Sequence, residues 1–262
     1  MYFDGQTVWI TGASAGIGEA LAHEFARRGA RIILSARRES ELERVRKDLP
    51  NPANHRVVVL DLEDGASING AAQQVLADGP VDVLVNNGGL SQRANALDTD
   101  LSVDRRLMEV NYFGTIALTK LVVPKMVTRG SGHVLVISSV AGKLGAPQRS
   151  AYAASKHALH GFFDVLRAEV YDNGVFVTIA CPGYIRTDIS RNALTADGHR
   201  YEQMDDNQRN GMDPDACARE IVDAVRKRKA EIYVGGRETL GVYLKRFTPN
   251  LLNRILRKAA NA

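Results

Sequence analysis

The run Thr7-Val8-Trp9-Ile10 leads directly into Thr11-Gly12-Ala13-Ser14-Ala15-Gly16-Ile17-Gly18, and this junction restricts the chain to few folds. The apolar run reads as a buried strand. Ile17, Leu21 and Phe25 follow at helical spacing, with Gly29 just beyond as a stop signal. The glycines therefore lie between a strand end and a helix start. Free backbone N–H groups and the helix dipole favour an anion there, and glycines let a pyrophosphate approach closely. The spacing is Gly-x-x-x-Gly-x-Gly rather than Gly-x-Gly-x-x-Gly, so nucleotide binding is expected from where the turn sits more than from its pattern.

The same alternation continues along the chain. Strands are expected at 31–35, 56–60, 81–85, 133–137, 175–180 and 232–234, with helices at 39–49, 65–77, 103–129, 150–171 and from 213–214 onward. This pattern predicts one α/β domain over 1–262, a parallel sheet with helices on both faces, and ligands at the C-terminal strand ends. The 262 residues suffice for one full core, and no repeat or linker interrupts them.

The expected strand ends carry polar residues. The second ends in Ala36-Arg37-Arg38, about 20 residues after the turn, where such folds read the adenosine ribose. An acidic residue there would suit NAD(H). Arginine suits a 2′-phosphate and favours NADP(H), although both arginines could simply open a solvated helix. The third ends in Asp61-Leu62, where the carboxylate could accept from an adenine amine or cap the next helix. Later ends carry Asn86-Asn87-Gly88-Gly89, Ser138-Ser139 and Pro182-Gly183-Tyr184-Ile185-Arg186-Thr187. Asn111 sits in a helix interior, where asparagine is mildly unfavourable. Tyr152 and Lys156 are four residues apart and so share a helical face. A neighbouring ammonium lowers the proton affinity of a phenol, which makes the pair a candidate acid/base device, although the same spacing taken alone is more often a solvated helix face.

Two cysteines, Cys181 and Cys217, supply neither a disulfide framework nor a zinc site, and a reducing compartment is expected. No metal site is expected. The first apolar run starts at Thr7, leaving no room ahead of it for a signal peptide or anchor, so a cytoplasmic location is expected. The net charge is +4, but six Lys/Arg and one Glu from Arg237 onward give that tail +5 and leave −1 for the rest. A nucleic-acid-binding body is not indicated.

Thr11–Gly18, Asn86-Asn87, Asn111, Ser139, Tyr152-x-x-x-Lys156 and Pro182-Gly183 together resemble the short-chain dehydrogenase/reductase family over nearly the whole chain. The stretch 150–163 is most similar to its hydroxysteroid-dehydrogenase-like branch, members 7 and 7B. The resemblance implies a single-domain Rossmann-type doubly wound sheet and hydride transfer between a nicotinamide and a carbonyl/alcohol pair. It implies Tyr152 as general acid/base, Lys156 lowering its pKa and holding the nicotinamide ribose, and Ser139 bonding the substrate oxygen. Asn111 matches the residue holding a water in the proton path. Gly12, Ser14, Gly16, Ile17 and Gly18 match the phosphate turn, and Arg37 with Arg38 the discriminating site. Asp61 and Leu62 match the adenine contact, Asn87 and Gly88 the adenosine-ribose side, and Pro182, Gly183, Ile185 and Thr187 the carboxamide side. Gly88 replaces the family's usual alanine, a small exchange expected to be harmless although it could loosen that turn. Ala15 stands where many NADP-dependent members carry a cation, so NADP(H) preference rests mainly on Arg37.

Leu144, Ala146, Pro147 and Tyr184 suggest an apolar pocket for a hydrophobic ketone or alcohol. A non-catalytic NADP(H)-binding sensor or scaffold is the alternative, and such members usually lose part of the Ser/Tyr/Lys set that is complete here. An extended-type epimerase would need a longer chain with a substrate subdomain. Residues 188–212 read as a mobile lid. The tail 237–262 carries two basic amphipathic stripes that pack on the body or a second subunit, or contact an anionic membrane surface weakly. The family implies a homodimer or homotetramer built on the Asn111 and Tyr152 helices.

Overall fold

The computed structural model describes residues 2–260; the ends of the single expected domain and of its tail, residues 1, 261 and 262, lie outside them. Seven strands form one parallel sheet: β1 Thr7–Thr11, β2 Arg31–Ser35, β3 Arg56–Val57, β4 Val83–Asn86, β5 Gly132–Ile137, β6 Val175–Pro182 and β7 Glu231–Val234, in the order β3-β2-β1-β4-β5-β6-β7. The order reverses between β1 and β4, the switch point where such sheets open a crevice. All five residues of β1 are buried, because a central parallel strand is covered on both faces.

The crossovers are α1 Gly16–Arg27, α2 Glu39–Asp48, α3 Gly65–Ala77, α4 Leu101–Met108, α5 Gly114–Arg129 and α6 Ser150–Val170; α7 Asp206–Arg209, α8 Pro214–Arg226, α9 Leu240–Phe247 and α10 Pro249–Ala260 follow. They divide the core in two. On one face Leu21 and Phe25 of α1 meet Ile221 and Val222 of α8, and on the other Leu118 and Val122 of α5 meet Phe163 of α6.

Two elements differ from the sequence expectation. The third strand is regular only over two residues, although Val58 N and Leu60 N still donate to Leu34 O and Ala36 O. It is the sheet edge, and Val59 faces solvent there. The single helix expected over 103–129 is broken by a π-helical turn, Glu109–Phe113, which carries Asn111. One extra residue in a turn re-aims the side chains that follow it, and such turns recur at functional sites.

Candidate active site

The strand ends open onto a cleft of about 1210 Å³. Gly12, Ser14, Gly16 and Ile17 line it at the glycine turn, followed by Arg37 and Arg38 after β2, Asp61 and Leu62 after β3, and Asn87 and Gly88 after β4. Ser139 enters after β5, Tyr152 and Lys156 from α6, and Pro182, Gly183, Tyr184, Ile185 and Thr187 from the end of β6 and beyond it. Of the expected site residues, Gly18 and Asn111 alone stand behind this lining. A Cβ on Gly18 would come within 2.2 Å of Gly12 O, so its absence lets α1 pack against the turn. Gly12 itself has φ +65, and a Cβ there would meet Asn87 Nδ2 at 2.8 Å. A cradle of bare backbone at a helix N-terminus fits the pyrophosphate of a dinucleotide.

The turn after β4 is held tightly. Thr11 Oγ1 accepts from Asn87 N and Gly88 N, both at 3.0 Å, and Asn87 Nδ2 donates to Thr11 O and Gly12 O. The glycine at 88 therefore does not loosen it. A Cβ there would lie 2.6 Å from Leu62 Cδ1, so Leu62 occupies the space an alanine methyl would take. Asp61 Oδ1 accepts from Glu63 N, whereas Asp64 caps α3 by accepting from Ala66 N. This settles the capping role on Asp64 and leaves Asp61 on the cleft.

Tyr152 is buried, and the Ser139 hydroxyl, which donates to Pro182 O and accepts from Ala141 N, lines the same cleft. Burial pushes the Tyr152 phenol above the ordinary value; the neighbouring Ser139 hydroxyl and the Arg149 and Arg93 guanidiniums act in the opposite direction. Lys156 is buried and donates to Ile137 O at 2.8 Å, and burial lowers its ammonium to about 8. Its Nζ stands 5.8 Å from the Tyr152 ring centroid. Lys156 donates to a backbone carbonyl while its ammonium lies over the Tyr152 ring, and Arg149 and Arg93 are further cations that act on the phenol. Asn111 sits one layer behind. Its Oδ1 accepts from Leu90 N at 2.7 Å, and its Nδ2 donates to Leu90 O and Ser155 Oγ.

Several residues here were missed by the sequence reading. Gln92 is fully buried, and its Oε1 accepts from Ala151 N at 2.9 Å, capping the first turn of α6 just ahead of Tyr152. Asp205 Oδ2 accepts from Arg93 Nε at 2.7 Å and from Arg149 Nη2 at 3.1 Å. One carboxylate thus bridges two cations from separate loops, leaving an excess positive charge beside Tyr152. Arg44 of α2 pairs with Glu19 and reaches Ser14 O, placing a cation beside the turn that lacks one in its own sequence. A buried-polar signal does exist in Ser91-Gln92-Arg93, a polar run on the switch-point loop, but sequence periodicity does not point to its partners.

Residues 188–212 fold over the cleft and are fastened at several points. Leu194 is buried against Val103, Leu107 and Ala151, and Asp205 is held by the two arginines. Leu144, Ala146 and Tyr184 line the cleft as expected. Pro147 does not; it lines a separate groove against Asn250, Arg254 and Arg257 of α10. The tail packs partly on the body through Leu252, which is buried with Val140 and Leu144.

A sequence model described as short chain dehydrogenase matches residues 6–198. The chain is 48% identical over 263 residues to a dehydrogenase/reductase SDR family protein 7-like of Drosophila melanogaster, covering 98% of this chain and 81% of that protein. It is 44% identical over 264 residues to dehydrogenase/reductase SDR family member 7B of Danio rerio, covering 97% and 85%. Among solved structures, a short-chain dehydrogenase from Streptomyces avermitilis superposes with a TM-score of 0.82 at 31% identity, over 98% of this chain and 99% of that one. One from Burkholderia phymatum, in complex with NAD, gives 0.84 at 25% identity over 96% of each.

Proposed function

The chain belongs to the short-chain dehydrogenase/reductase family, and from that premise we propose that it is an NADP(H)-dependent oxidoreductase interconverting a hydrophobic ketone and its secondary alcohol, with Tyr152 as general acid/base. The observation that carries this reading is that Ser139, Tyr152 and the buried Lys156 line one cleft together with a bare-backbone dinucleotide cradle.

A bound nicotinamide supplies the hydride; the protein supplies position and one proton. During reduction, negative charge grows on the carbonyl oxygen. The Tyr152 and Ser139 hydroxyls both donate to that oxygen, where a preorganised donor is worth most. Burial keeps the phenol protonated, the state that reduction needs. Lys156 holds the ribose and relays the proton, and Asn111 fixes the loop at Leu90 against α6. An Asn carboxamide oxygen accepts two bonds, and Leu90 N uses one; the other serves the proton path. Arg37 and Arg38 are both exposed at the end of β2 and supply the 2′-phosphate contact. Leu144, Ala146 and Tyr184 give the substrate side its apolar character, and residues 188–212 act as its cover. The complete Ser139/Tyr152/Lys156 set weighs against a non-catalytic NADP(H) binder. Assembly as a homodimer or homotetramer through α5 and α6 follows from the family.

The test is consumption of reduced nicotinamide with a panel of apolar ketones. NADPH is expected to exceed NADH by about tenfold or more in kcat/KM, and Arg37→Ala to remove most of that preference. Equal use of the two cofactors would overturn the NADP(H) assignment; no consumption with any ketone would overturn the enzymatic one.

A further inference from the structure

The carboxylate of Glu238 is seated against the turn that follows β6, where the reaction proposed above gives it no part. It arrives from a short 3-10 turn, Arg237–Thr239, between β7 and α9. β6 and β7 end side by side: Pro182 is the partner of Val234, and Gly183 N donates to Val234 O at 2.8 Å. Just past those ends, Glu238 Oε1 accepts from Tyr184 N and from Gly236 N, both at 2.9 Å. One oxygen thus ties the turn after β6 to the turn after β7. Both donors are backbone N–H groups, so the contact uses an acceptor at that reach rather than a paired charge.

The backbone is bare where the carboxylate enters. A Cβ on Gly183 would collide with Glu238 Oε1, and one on Gly235 would lie 2.6 Å from it. Gly235 also has φ +149, a conformation that side chains with a Cβ rarely adopt. Two glycines from separate strand ends therefore leave one slot, and Glu238 fills it. The far edge of the same turn is tied as well, since Met212 N donates to Tyr184 O and Arg186 N to Met212 O. Ile185 and Thr187, which the family resemblance sets against the nicotinamide carboxamide, continue directly from this turn, and Glu238 lines the cleft with them. The adenosine side, at Arg37 and Asp61, belongs to the other half of the sheet. We propose that Glu238 is a positioning residue for the nicotinamide half of the cofactor: it fixes the Gly183-Tyr184 backbone, and through it the placing of Ile185 and Thr187. The inference rests on the cofactor reading above and not on the substrate or on Tyr152.

The test measures binding to the full chain, without a ketone, of NADPH by its fluorescence and of 2′-phospho-ADP-ribose, which lacks the nicotinamide, by calorimetry. NADH and ADP-ribose are compared in parallel, so loss of the NADP(H) preference leaves the test standing. Glu238→Ala should weaken the whole cofactor about tenfold and leave the nicotinamide-free ligand within about twofold of the parent. Glu238→Asp keeps the charge but falls short of the turn, and should behave like the alanine variant. Glu238→Gln keeps an acceptor at full reach and should bind both ligands like the parent. A purely structural role would lower both affinities together. Parental cofactor binding in Glu238→Ala, equal loss of both ligands, or a glutamine variant as weak as the alanine one would overturn the proposal. Binding of neither ligand pair by the parent would overturn the cofactor reading and this inference with it.

Discussion

In the proposed reaction, the rate at Tyr152 depends on which charges face one phenol. Burial favours the neutral form, and Arg149 and Arg93 oppose it across a carboxylate they share. Reduction uses the phenol and runs at neutral pH, whereas oxidation needs the phenolate and should accelerate as pH rises. Arg149→Ala removes a cation, so the oxidation profile is expected to shift to higher pH by about 1 unit. Asp205→Asn leaves two cations without their carboxylate and should shift it the opposite way. The pH dependence of kcat/KM for alcohol oxidation reads both signs. Identical profiles for the two variants would show that Tyr152 does not sense these groups.

At the level of elements, the helix that carries Tyr152 is fixed by contacts far apart in sequence. Gln92 caps α6 from the loop after β4, and removing that acceptor leaves a buried N–H without a partner. Gln92→Ala is therefore expected to cost about 1–3 kcal/mol in urea unfolding and to raise KM as α6 frays at Tyr152. A loss below that range would place the anchoring of α6 elsewhere. These contacts explain what the sequence could reveal. β1, β2, β5 and β6 are buried apolar runs whose ends could be read, and with them the glycine turn, Ser139, Tyr152 and Lys156. The π turn at Asn111 was invisible because apolar residues continue across it without a break in pattern. The Arg93–Asp205 and Arg149–Asp205 contacts span 112 and 56 residues, and no local pattern encodes such pairings. β3 was read too long because Val57-Val58-Val59 has strand composition, but one of its faces meets water at the sheet edge.

Across the whole molecule, two buried imidazoles couple the fold to pH. His133 of β5 and His160 of α6 are both lowered to about 4, chiefly by burial and secondarily by Arg228 and Lys143 respectively. Each stays neutral in the folded chain at pH values where the unfolded chain, near 6.5, takes up a proton. Their contribution is complete above about 6.5 and is lost as pH falls toward 4, by up to about 3 kcal/mol each. The melting temperature should fall over that window, and His160→Gln should flatten the fall; an unchanged slope would place the acid sensitivity elsewhere. The proposed reaction turns on one proton donor in a cleft lined for a dinucleotide. Its most direct test is Tyr152→Phe, assayed for NADPH binding by fluorescence and for ketone-dependent NADPH consumption in the same preparation. Binding should stay within about twofold of the parent, since phenylalanine preserves the packing, while turnover falls about 10²–10⁴-fold. Parental turnover in Tyr152→Phe would contradict the account.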